Sequence, residues 1–169
     1  MLALARRTVA ALVRGEALPD PGALPVRGRG AFVTLHRHGE LRGCIGHMVD
    51  DRPIGYVVRD MAVAAARDDP RFPPVGADEL EGLDVEVSVL TTPVPARAED
   101  VEPGRHGLIV RRGAAQGVLL PQVAVEQGWD RETFLAITCR KAGLPLQAWR
   151  DARTDLRTFE AQVIRDEPA

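Results

Sequence analysis

Residues 31–37, AFVTLHR, and residues 40–47, ELRGCIGH, are two short strand-like runs separated by His38-Gly39. Two such runs joined by two turn-forming residues predict a β-hairpin. In strict register that turn sets Val33 opposite Cys44 and sends His36 to the other face, whereas a three-residue loop reverses the faces. Any pairing of Cys44 with His36 therefore depends on the register of this hairpin.

The pattern on either side sets the fold class. Leu2, Ala5, Val9, Leu12 and Val13 recur at helical spacing and Gly15 follows, which predicts a first helix and its stop. Residues 17–30 (ALPDPGALPVRGRG) hold three prolines and three glycines and predict an extended surface connection. After the hairpin, residues 53–67 begin with Pro at a first-turn position and place Ile54, Val57, Val58, Met61 and Ala65 on one stripe, a core-facing helix. A proline-punctuated loop, DDPRFPPVGADELEGL, leads to LDVEVSVLT. That run alternates as a strand, with Leu83, Val85, Val87 and Val89 on one side and Glu86 and Ser88 on the other. TPVPARAEDVEPG is a second proline-rich connection, and HGLIVRR and GVLLP flank a turn at Gly113 to Gly117, a second hairpin. Residues 122–127 and 130–142 are helical in pattern, with Asp130 as N-cap and Trp129 and Phe134 as a hydrophobic staple. LRTFEAQVI then predicts one returning strand. Hairpins mixed with unevenly spaced helices, without a βαβ rhythm, predict an α+β fold: a mainly antiparallel sheet flanked by helices.

Composition narrows the chemistry. The 169 residues suit one compact domain, and 45% hydrophobic against 27% charged residues supply a core. Acidic residues number 24 against 22 basic, a net charge of -2, so the basic footprint of nonspecific nucleic-acid binding is absent. Direct high-affinity nucleic-acid binding would require Arg27, Arg29, Arg71, Arg111 and Arg112 to cluster in space. Lys141 is the one lysine and Ser88 the one serine, which excludes a Walker-type phosphate loop and a G-x-S-x-G hydrolase. Cys44 and Cys139 cannot build a disulfide framework, so reduced thiols in a cytoplasmic protein are expected. No apolar run reaches membrane-spanning length.

Cys44, between Gly43 and Gly46 and two residues after Arg42, is the candidate nucleophile. A guanidinium near its sulfur favours the thiolate, and glycines clear space for a substrate or for approaching backbone. The alternative is a small buried strand residue beside bulge glycines. His36, His38, Cys44 and His47 share N and S donors but lack a zinc-finger spacing, so no metal site is assigned. His106, ahead of a strand, is the candidate general base, and Glu86 can orient a base or receive an amine. Arg71 can grip an anion, or with Asp69 lock its loop to the sheet. Gln122 lies near a helix start, while Cys139 sits on a core stripe with Leu135, Thr138 and Ala142.

Taken in order, LRGCIG, DPRFPP, LDVEVSVLT, RHGLIVR, GVLLPQVAVEQGW and FLAITCRKAGLP resemble the AMMECR domain family from about Ala31 through Phe159. The resemblance implies two unequal lobes and a cleft containing LRGCIG. It also implies association with Memo-type and radical-SAM proteins in metabolic or nucleic-acid modification, and it names no cofactor. Motif match carries Arg42, Gly43, Cys44 and Gly46 onto the family signature and places Arg71, Glu86, His106 and Gln122 in the other blocks. His47 stands where that pattern has a small hydroxyl residue. Two functions follow as expectations: a thiol-dependent enzyme built on Cys44, or a noncatalytic ligand- or protein-binding adaptor.

Overall fold

A computed structural model describes residues 1–22, 26, 27 and 29–165. The chain forms two compact units, one of Met1–Leu90 with the segment from Gln162, the other of Thr91–Ala161. Each has a four-stranded antiparallel sheet and its own apolar core, so the fold is α+β. The predicted extended connection over 17–30 falls partly on residues 23–25 and 28, which lie outside the described residues.

In the first unit, α1 (Leu2–Arg14) ends at Gly15, whose φ of 68° is a left-handed stop that glycine adopts without strain. β1 (Ala31–Arg37) and β2 (Glu40–His47) form the predicted hairpin. His38 (φ 54°) and Gly39 (φ 80°) both take positive φ, as a tight primed turn requires. α2 (Ile54–Arg67) follows Pro53, which is the N-cap itself and not the first helical residue. β3 is Leu83–Leu90, and the sheet order is β2-β1-β3-β8. The inward row Val33, Leu35, Val85, Val87 and Val89 packs with Ile54, Val57, Val58 and Met61 of α2 and Val9 of α1. Removing these side chains from water is the main stabilising contribution to the unit. Gly43 belongs to this packed face: a Cβ there would strike the Ala65 carbonyl, so the glycine admits the backbone of α2.

The hairpin register departs from strict pairing. Arg37 and His36 pair with Glu40 and Leu41, but Leu35 pairs with Gly43, leaving Arg42 as an extra residue in β2. This β-bulge moves every later pair by one, so that Cys44 faces Thr34 and not Val33. The turn has the expected two residues; the bulge cancels the expected consequence, and His36 shares the face of Thr34 and Cys44.

In the second unit the proline-rich connection contains a two-residue strand, β4 (Val94–Pro95), paired with β7 (Asp155–Phe159). β5 (Gly107–Arg112) and β6 (Ala115–Leu119) form the second hairpin, with its turn at Gly113-Ala114, so the return strand begins earlier than predicted. α3 (Pro121–Glu126) and α4 (Arg131–Lys141) follow, and Asp130 caps α4 by accepting the Thr133 N–H at 2.8 Å. Phe134, Leu135 and Cys139 of α4 join Leu108, Val110 and Leu156 in the core. The predicted single final strand is two, β7 and β8 (Ala161–Arg165), which belong to different sheets. The break is Glu160, whose N–H donates to Thr91 Oγ1 at 2.8 Å while its carbonyl accepts the Thr91 N–H at 2.9 Å.

Candidate functional site

The bulge at Arg42 builds a row across three strands. Thr34 on β1 pairs with Cys44 on β2 and with Glu86 on β3, and directly opposed residues share a face. This face is the one turned away from the inward valines. The Thr34 hydroxyl lies 3.3 Å from Cys44 Sγ and donates toward it. Cys44, Thr34 and Glu86 are all partly exposed, so the thiol is neither sealed in the core nor loose on a loop. His36 stands next along β1, opposite Asp84.

The backbone of Cys44 is held from the free edge of β2. Its N–H donates to Asp69 Oδ2 at 2.9 Å, and its carbonyl accepts from Arg71 Nη2 at 3.3 Å. Arg71 closes the device with two further bonds to Asp69, Nε to Oδ1 at 2.9 Å and Nη2 to Oδ2 at 2.7 Å. The pair thus supplies one acceptor and one donor to the strand edge, as a neighbouring strand would. Asp69 is 3% exposed, and the Arg71 guanidinium holds its carboxyl well below the usual carboxylate range, outweighing burial. Asp69 in turn raises the Arg71 guanidinium further. The loop-locking alternative for Asp69 and Arg71 is therefore realised, although the Arg71 side chain remains 53% exposed.

Arg42 grips Glu79 with Nε at 2.7 Å and Nη2 at 2.8 Å, and Nη2 also donates to the Pro74 carbonyl at 3.3 Å. Arg37 adds a third contact to Glu79 at 3.3 Å. Chiefly through Arg42, against the effect of burial, Glu79 is pushed down to about 2. Two guanidinium groups approach the Phe72 ring, Arg42 at 5.8 Å and Arg71 at 5.5 Å from its centre. Arg42 thus ties the DPRFPP segment to β2. Gly46 lies beneath the Phe32 ring, directly opposed across the hairpin.

The remaining candidates belong to the second unit. His106 precedes β5; its N–H donates to the Glu102 carbonyl at 2.9 Å, and its Nδ1 accepts the Glu102 N–H at 3.1 Å. Gln122 is the second residue of α3, and its Oε1 is buried without a hydrogen-bond partner among the described residues. Cys139 is fully buried, and burial pushes its thiol up. An open cavity of about 340 Å³ has Trp149 and Leu135 in its wall and Glu99, Asp130 and Glu132 among its polar lining. Among the described residues, no three His, Cys, Asp or Glu side chains are grouped to hold a metal ion. Thr34 and Glu79 are the contributors that the sequence did not single out. Polar Thr34 between inward Val33 and Leu35 was the available signal, and its partner depended on the bulge.

The family model described as AMMECR1 matches residues 2–164. A protein of Methanothermobacter thermautotrophicus is 45% identical over 179 residues, covering 99% of this chain and 93% of the relative. A protein of Pyrococcus furiosus is 43% identical over 182 residues, covering 99% and 87%. The crystal structure of an uncharacterized protein from Pyrococcus horikoshii is similar with a TM-score of 0.89 at 40% identity, over 98% of this chain and 89% of that one.

Proposed function

The chain belongs to the AMMECR1 family, and from that premise we propose that it is a thiol-dependent enzyme with Cys44 as nucleophile. The observation that carries this reading is the setting of one atom. Cys44 is a partly exposed residue whose Sγ faces the Thr34 hydroxyl and whose backbone is held at both its N–H and its carbonyl by Asp69 and Arg71. A fixed backbone and a hydroxyl donor position a sulfur for attack and stabilise charge on it. His36, on the same face, receives the thiol proton; the Nδ1 of His106 already serves its own turn. Arg71 is the proposed polar contact beside Cys44, and Gly43 and Gly46 let the strand lie close to α2 and Phe32. Substrates with acyl, phosphoryl or nucleobase character fit a thiolate nucleophile. Memo-type and radical-SAM proteins are the proposed partners in metabolic or nucleic-acid modification, in the cytoplasm.

The test is intact-mass analysis after incubation with cell extract, followed by turnover in a reconstituted mixture with those partners. The expected result is an adduct on Cys44, none on Cys139, and loss of turnover in Cys44→Ser. Full activity of Cys44→Ser would remove the nucleophile. One observation favours an adaptor: Arg42 and Arg71 are bound to Glu79 and Asp69, as a purely structural signature requires. An adaptor predicts specific partner binding that survives Cys44→Ser and leaves no covalent adduct.

A further inference from the structure

The charges around Cys44 do not cancel. Among the described residues Arg71 is matched by Asp69, while Arg37 and Arg42 share the single carboxylate of Glu79 and leave one positive charge over. Against it stand two carboxylates of β3, Glu86 and Asp84, which among the described residues have neither an ion pair nor a side-chain hydrogen bond. Glu86 is also partly buried and stands in the same row as Cys44, separated from it by Thr34 alone. On β8, the neighbour of β3, Arg165 forms no ion pair with Glu86 among the described residues. His36 stands next along this face, opposite Asp84.

An unmatched carboxylate beside a nucleophile is complementary to a cation, and it repels an anion by a similar amount. We infer that the substrate presents Cys44 with an electrophilic centre on a molecule that also bears a positive charge, an amine or guanidine, and that Glu86 is the residue recognising it. This rests on the thiol reading above and narrows it to a substrate class. Arg71 contributes little net charge to the choice, since Asp69 accompanies it.

The test uses the full chain and two thiol reagents of equal chemistry and opposite charge, trimethylammonioethyl and sulfonatoethyl methanethiosulfonate. In each, the Cys44 thiolate attacks the sulfenyl sulfur, a mixed disulfide forms and methanesulfinate leaves with the electron pair of the broken bond. Rates are read by intact mass near pH 8 at low ionic strength and normalised to a small uncharged thiol. Buried Cys139 serves as the internal control for unfolding. Two strand spacings, ~10 Å, separate the Cys44 and Glu86 backbones, and a unit charge at that distance in water discriminates the two reagents by roughly fourfold. The expected result is a cation preference of that size, lost in ~1 M salt and in Glu86→Gln, and inverted in Glu86→Lys. A normalised ratio near one, or a preference that Glu86→Gln leaves intact, overturns the inference while the thiol reading stands. Failure of both reagents to label Cys44 in the folded chain overturns both.

Discussion

At the residue scale, the Cys44 neighbourhood is organised by two carboxylates that never touch the sulfur. Asp69 and Glu79 each trade desolvation for guanidinium and backbone N–H bonds, and both titrate below their ordinary range. A carboxyl depressed in the folded state adds stability above its unfolded pKa, and that stability is lost as pH falls toward the folded value. For Glu79 the window runs from ordinary carboxyl ionisation, about 4.3, down to about 2. Glu79→Gln is expected to destabilise the chain at neutral pH and to flatten the loss of stability across that window. Chemical denaturation at a series of pH values checks this; a variant with an unchanged acid slope would detach Glu79 from the acid response. The glycine signature and Cys44 were legible from sequence at this scale. The partner of Arg42 was less so, because Glu79 lies 37 residues away; Asp69 was legible as the partner of Arg71, two residues on, but not its bond to the Cys44 N–H 25 residues back.

At the scale of elements, the two signature glycines serve different neighbours. A Cβ at Gly43 meets the Ala65 carbonyl, part of a helix backbone that cannot swing aside, whereas one at Gly46 meets the Phe32 ring, a side chain able to rotate. Gly43→Ala is therefore expected to cost about 1–3 kcal/mol, as overpacking does, and Gly46→Ala less. Urea unfolding of the two variants decides it, and equal losses would mean that α2 and β2 move apart readily. The strands of the first hairpin were legible to the residue, since alternation and a two-residue turn are local signals. The bulge was not, because an extra residue in β2 leaves the alternation of β1 unchanged and appears only in the pairing between strands. The single run predicted at the C-terminus failed for a related reason: its periodicity continues through Glu160, while its hydrogen bonds pass from one sheet to the other.

At the scale of the whole molecule, charge is spread and largely paired. Of the five arginines whose clustering would favour nucleic acid, Arg71 is bound to Asp69, Arg111 to Asp155 and Arg112 to Asp151, while Arg27 donates to the Asp51 carbonyl. With a net charge of -2, retention on a DNA or RNA duplex is expected to be undetectable near 0.15 M salt. A binding titration across salt concentrations checks it, and a steep salt slope with tight binding would show an assembled basic surface.

The amino-acid order by itself determined the helices, most strands, the inward valine rows, the tight turn at His38-Gly39 and the family, since each is written in spacing along the chain. Tertiary structure alone decided which residue faces Cys44, which carboxylate holds Arg42, which strand residue the Asp69–Arg71 pair holds, and which sheet each half of the final run joins. Those outcomes rest on hydrogen bonds between distant segments. Inserting one bulge residue exchanges the faces of a strand pair without altering the apolar pattern that makes the strands form.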